Sequence, residues 1–192
     1  VQLSQSEDKV GSQLSISQQW FNPSEDKTVS GYSLASQNTS DFEGIKTIEY
    51  RFLKEDVQLS QSEDEVGSQN SITEEWFKPS ASRKTKTNYS LARKEESNVE
   101  GIPTERYTFL KDNVVLSETE DKVGSQLSLV KEVFNGTPST PSGYSIANEQ
   151  VSNVDGIPTR RYTFLKPNIL SVSQDFNNGQ GRVSVQAFSK TS

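Results

Sequence analysis

Cysteine, methionine and histidine are all absent from the 192 residues. Their absence excludes a disulfide framework, a thiolate zinc site, and Cys-His or Ser-His-Asp catalysis within the chain. Apolar residues are also scarce, at 30% against 24% charged, which is lean for a domain of this length. Several small cores suit such a chain better than one large core. No apolar run approaches the roughly 20 residues of a membrane span, and no charged-then-apolar secretion signal opens the chain. The net charge of −6 and pI of about 4.9 lack the basic excess of a nucleic-acid-binding surface, so no nucleic-acid partner is expected.

What the chain does contain is a repeat. Val1-Gln2-Leu3-Ser4-Gln5-Ser6-Glu7-Asp8 returns unchanged from Val57 to Asp64, returns altered from Val114 to Asp121, and opens again at Asn168. Val10-Gly11-Ser12-Gln13 recurs at Val66 and Val123. Aromatic residues keep the same order, with Phe21, Phe77, Phe134 and Phe188, then Tyr32, Tyr89 and Tyr144, then the pairs Tyr50/Phe52, Tyr107/Phe109 and Tyr162/Phe164. The units are residues 1–56, 57–113 and 114–167, with a half repeat at 168–192. Length varies within Asn22 to Gly31, Lys78 to Asn88 and Asn135 to Gly143, stretches rich in Pro, Ser, Gly and Thr as surface loops are.

Between the loops apolar and polar residues alternate, which predicts half-buried strands. The fold class is all-β, made of tandem repeats of about 55 residues, each a small antiparallel four-strand unit. In the first repeat the predicted strands are Val1–Asp8, Gln13–Phe21, Tyr32–Ser40 and Lys46–Leu53. The alternation assigns Leu14, Ile16 and Trp20 to a core face, with Ile72 and Trp76, then Leu127, Leu129 and Val133, as counterparts. It likewise groups Tyr32 with Leu34, Tyr89 with Leu91 and Tyr144 with Ile146, and predicts Tyr107 and Phe109 to be largely buried. Gly-Ile-Pro-Thr at Gly101 and Gly156 reads as a turn in which glycine takes a positive φ and proline sets the next bend. The first repeat has Lys46 in place of that proline.

Carboxylates are the only available acid–base groups. Glu7/Asp8, Glu63/Asp64 and Glu120/Asp121 recur beside the first hairpin turn, a pattern that suits weak calcium sites or a catalytic pair in principle. A catalytic site is normally unique, however, and the fourth copy has Gln174 with Asp175. These charges read better as a solvated hairpin that resists edge pairing. Trp20 and Trp76 could stack on sugars, but their strand face assigns them to packing. Phe21 and Phe77 then point the other way, as does Phe188 relative to Val183 and Val185, which makes these phenylalanines candidate interface residues. Arg83, Lys84 and Lys86 form a basic loop suited to solvent or to an acidic neighbouring subunit. No phosphate-binding glycine loop occurs, and no catalytic residue, cofactor or metal is expected.

The unit built on Asp-Lys-Val-Gly-Ser-Gln, Pro-Ser-Gly-Tyr-Ser, Asn-Val-Asp-Gly-Ile-Pro-Thr and Arg-Tyr-Thr-Phe-Leu-Lys resembles tandem β-modules in virion structural proteins of tailed bacteriophages. The resemblance covers the whole chain, most closely between Glu120 and Lys166. It implies a non-enzymatic role in the tail, fibre, baseplate or capsid surface, with other virion proteins, copies of the chain itself and a host-surface receptor as partners. Bacterial cell-surface adhesins repeat in a similar way, which implies the alternative of a ligand-binding extracellular module. The half repeat carries two of four strands, so it is expected to dock on the third repeat or on a partner subunit.

Overall fold

The computed structural model describes residues 1–80, 87–124, 126–167, 169–177 and 180–187, the last two stretches by their backbone alone. All the strands and helices among these residues are strands. The first repeat contains β1 (Gln2–Val10), β2 (Gln13–Trp20), β3 (Ser33–Phe42) and β4 (Ile45–Leu53). The second contains β5 (Val57–Val66), β6 (Gln69–Phe77), β7 (Tyr89–Val99) and β8 (Ile102–Lys111). The third contains β9 (Val114–Val123), β10 (Gln126–Phe134), β11 (Ser145–Val154) and β12 (Ile157–Leu165). A last hairpin follows, β13 (Ile169–Asn177) with β14 (Gln180–Ala187). The predicted strand limits in the first repeat hold to within two residues.

Each repeat folds as two hairpins joined by the variable loop. The second hairpin turns back, so its last strand pairs with the second strand of the first hairpin. The sheets therefore run β1-β2-β4-β3, β5-β6-β8-β7 and β9-β10-β12-β11. This leaves the acidic first strand at a sheet edge, where charge opposes pairing with another strand.

Two turns define the geometry. The β3–β4 turn places both central residues at positive φ, Glu43 and Gly44 at 51° and 82°, Glu100 and Gly101 at 51° and 84°, Asp155 and Gly156 at 50° and 81°. This is the two-residue hairpin turn that suits strand twist. Asp41, Asn98 and Asn153 each accept a hydrogen bond from the glycine N–H, at 2.7, 2.8 and 2.8 Å. Proline does not make this bend. Pro103 and Pro158 lie inside β8 and β12, and the first repeat turns identically with Lys46 in that place. The β1–β2 turn uses Gly11 at φ 54° followed by Ser12, and its counterparts are Gly67 at 58° and Gly124 at 60°.

The chain divides into two compact units, Val1–Asp64 with Ile72–Lys86 and Arg93–Phe109, and Glu65–Ser71 with Thr87–Ala92 and Leu110–Ser192. Each unit has its own cluster where one repeat meets the next. In the first unit Val10, Ala35 and Leu53, at the trailing end of repeat one, pack on Leu59, Phe77 and Ile102 at the leading end of repeat two. In the second unit Val66, Ala92 and Leu110 pack in the same way on Leu116, Phe134 and Ile157. Burying a Leu, Ile or Phe side chain contributes about 1.5–3 kcal/mol relative to exposure, so these clusters are major stabilising elements. The backbone of β13 lies against β10 in the second unit.

The alternation named the correct face of the fourth strand. Tyr50 and Phe52, Tyr107 and Phe109, and Tyr162 and Phe164 are buried and stacked, with ring centroids 6.4 Å apart in each pair. Val133 and Ile72 are buried as predicted. Leu14 and Leu127 are not, because they lie on a hairpin tip beyond the reach of the fourth strand, whose pairing starts at Ile16 and Leu129. Ser15, Ser71 and Ser128 are buried there instead. Leu34, Leu91 and Ile146 are also exposed, and Ala35 and Ala92 occupy the core. Ala35 is the extra residue of a bulge between Leu34 and Ser36, and a like bulge lies between Ile146 and Asn148, so strict alternation of faces breaks down there.

A pair of glycine substitutions separates turn from junction. Gly101→Ala meets open space and should cost about 1–2 kcal/mol for its left-handed backbone alone. Gly67→Ala would place a Cβ 2.2 Å from the Leu116 carbonyl oxygen. Thermal melts should show it at least about 1 kcal/mol more destabilising, since it also disrupts a hydrogen bond between repeats.

Candidate functional site

The recurrent acidic pairs do not form a centre. Glu7, Asp8, Glu63, Asp64, Glu120 and Asp121 lie exposed along β1, β5 and β9. Their recorded hydrogen bonds are local, as in Ser6 Oγ donating to Asp8 at 3.0 Å and Ser62 Oγ donating to Asp64 at 3.2 Å. Among the described residues no three acidic side chains converge as metal ligands would.

Two other carboxylates are buried, and the sequence reading passed over both. Glu75 on β6 accepts hydrogen bonds from Ser97, Thr104 and the Arg106 guanidinium at 3.0, 3.0 and 2.8 Å. The bond to Glu75 holds the Arg106 pKa further above its ordinary value. Glu132 on β10 accepts from Ser152 and Thr159, both at 3.1 Å, with Arg161 3.9 Å away. At the same places the first repeat carries Gln19 and Glu49, so acid and base come and go together. Gln19 donates to Ser40 at 3.1 Å, a neutral version of the same bridge. Such pairing stabilises buried charge and occupies the lone pairs a general base would use. Arg106→Ala should destabilise by about 1–3 kcal/mol by stranding the Glu75 carboxylate. Glu75→Gln in the same chain should recover most of that loss in a double-mutant cycle.

The tryptophans are half-buried. The Trp20 indole donates to Gln18 at 3.0 Å under Lys27, whose Nζ is 4.2 Å from the ring centroid. Trp76 donates to Glu74 at 2.9 Å. The candidate interface phenylalanines diverge. Phe77 is buried within its own unit by the preceding repeat, whereas Phe21, its counterpart, is exposed. Phe188, Arg83, Lys84 and Lys86 lie outside the described residues.

The densest recurring arrangement is the junction between repeats. In β9 the strand bulges at Leu116, between Val115 and Ser117. A bulge releases a backbone group from the ladder, and the Leu116 carbonyl accepts the Ser68 N–H at 2.9 Å. The Ser68 hydroxyl lies 3.2 Å from the same oxygen. At the first junction the Ser12 N–H donates to the Leu59 carbonyl at 2.8 Å, and the Ser12 hydroxyl donates to the Gln58 carbonyl at 3.0 Å. Gly11 and Gly67 admit this contact because a Cβ would sit 2.2 Å from each leucine oxygen.

A carboxylate in each linker closes the junction. Glu55 accepts from Ser33 and pairs with Lys78 at 3.3 Å. Asp112 accepts from Ser90 and Asn135. The Ser33 hydroxyl holds the Glu55 carboxyl below the ordinary carboxylate range, and the Ser90 hydroxyl does the same for Asp112. Their stabilising effect is therefore complete above the ordinary carboxylate pKa and is lost as pH falls through the lowered values. Replacing both by amides, Glu55→Gln with Asp112→Asn, should flatten the acid limb of a pH–melting curve below about pH 4.

The second unit also has an open cleft of about 950 Å³ beside the third sheet. Its walls include the exposed Leu91 and Val151 with Glu149, Arg160 and Tyr162. Glu149 is ion-paired to Arg160, whose pKa it raises, and the Tyr162 hydroxyl lies 3.4 Å from Glu149. This mixed surface suits contact with a ligand or protein better than acid–base chemistry, since its carboxylate is already paired. No protein-family model, curated protein or solved structure matches the chain. No helix among the described residues is long and apolar enough to cross a membrane.

Proposed function

We propose that the chain is a non-enzymatic structural component of a tailed-phage particle, in its tail, fibre, baseplate or capsid surface. The observation that carries this reading is the repeated junction. Its turn, bulge and linker carboxylate join one β-module to the next, and the buried acids are engaged in the same framework. Such a chain works by holding its modules and neighbours in place. Its partners are other virion structural proteins and further copies of itself, and its location is the virion.

A second reading, an extracellular adhesin region that binds a host or glycan ligand, is favoured by the cleft around Glu149, Arg160 and Tyr162. Two measurements separate the readings. Mass spectrometry of purified particles should recover the chain, and exchanging the loops Asn22 to Gly31 and Asn135 to Gly143 should leave incorporation unchanged. A chain absent from particles, with host-cell binding lost on loop exchange, would reverse the order of the two.

A further inference from the structure

The leading end of the first repeat repeats a surface that is buried wherever it recurs. Phe21 is 48% exposed, whereas its counterparts Phe77 and Phe134 are 3% and 5% exposed. Ile45 is 44% exposed, whereas Ile102 and Ile157 are fully buried. Leu3 is only partly buried, while Leu59 and Leu116 are 1% exposed. Val1 is exposed, whereas Val57 and Val114 pack on the junction clusters.

The backbone repeats as well. The register shift between Gln2 and Ser4 puts Leu3 in the same bulge as Leu116. At both described junctions the leucine at this position accepts the Ser N–H of a Gly-Ser turn, and the apolar side chains around it pack under a valine, an alanine and a leucine. Residues 1–8 match 57–64 in sequence, so this end of repeat one presents the same recognition surface as that of repeat two.

We infer that the face formed by Val1, Leu3, Phe21 and Ile45 is a docking site for the trailing end of another repeat of this type. Its occupant carries a Val-Gly-Ser-Gln turn with alanine and leucine beside it. The serine N–H would bond the Leu3 carbonyl, and the alanine and leucine would cover Phe21 and Ile45. This holds whether or not the chain belongs to a phage particle.

The test fuses one additional copy of residues 1–56 ahead of Val1, in the register that joins repeat one to repeat two. The extended chain should melt in one transition, at a higher temperature than the 192-residue chain. Phe21→Ser should hardly move the melting temperature of the 192-residue chain. In the extended chain it should lower it as much as Phe77→Ser does. Two separate transitions, or a Phe21→Ser that is silent in both chains, would overturn the proposal. So would sedimentation of the 192-residue chain as a closed dimer dispersed by Phe21→Ser, because a closed pair joins two such faces to each other and leaves no place for a trailing end.

Discussion

The structure depends on one backbone contact, the Gly-Ser turn of a repeat bonded to a leucine carbonyl of the next. At Leu116 a bulge takes that carbonyl out of its own sheet, and glycine lets the turn come close enough to use it. An unpaired buried carbonyl is costly, so turn and bulge need each other. Around the contact a small cluster of valine, alanine, leucine, phenylalanine and isoleucine excludes water. A chain so poor in apolar residues can fold because it places them where two repeats can share them.

This arrangement explains why a four-strand unit of about 55 residues is workable here without a disulfide. Domains of that size bury only about 60% of the surface that their unfolded chains expose and are marginal alone. Shared cores at the junctions supply burial that a single sheet lacks, as in other repeat architectures. The linker carboxylates Glu55 and Asp112 add fixed hydrogen bonds at the crossing points. They are exposed, so they shape the connection more than they stabilise it.

The buried acids show how a repeat tolerates change. Gln19, Glu75 and Glu132 occupy one site, and the partner site changes with them from Glu49 to Arg106 and Arg161. A charge is accepted at this depth where a guanidinium and two hydroxyls receive it. That signal was present in the aligned repeats, since acid and base appear together, but residue-by-residue reading does not show it. Reading for exposed acidic pairs directed attention to strands at the sheet edge.

Much of the architecture was legible in the sequence. Period-2 alternation, glycine at the turns and the spacing of aromatic marks determine an all-β chain of tandem four-strand units, because these are local backbone and pattern effects. They place Tyr107 and Phe109 inside, and they set the strand limits to within two residues. The same pattern could not decide which leucines are core. Leu34 and Ala35 depart from the expected roles at a bulge, and Leu14 loses its cover because the neighbouring strand ends short of it. Nor could it separate Phe21 from Phe77, which follow the same Trp in nearly the same local sequence. One is exposed and the other buried only because a preceding repeat packs over the second. Burial of that kind is a property of neighbours in space, and it was decided by the tertiary structure alone.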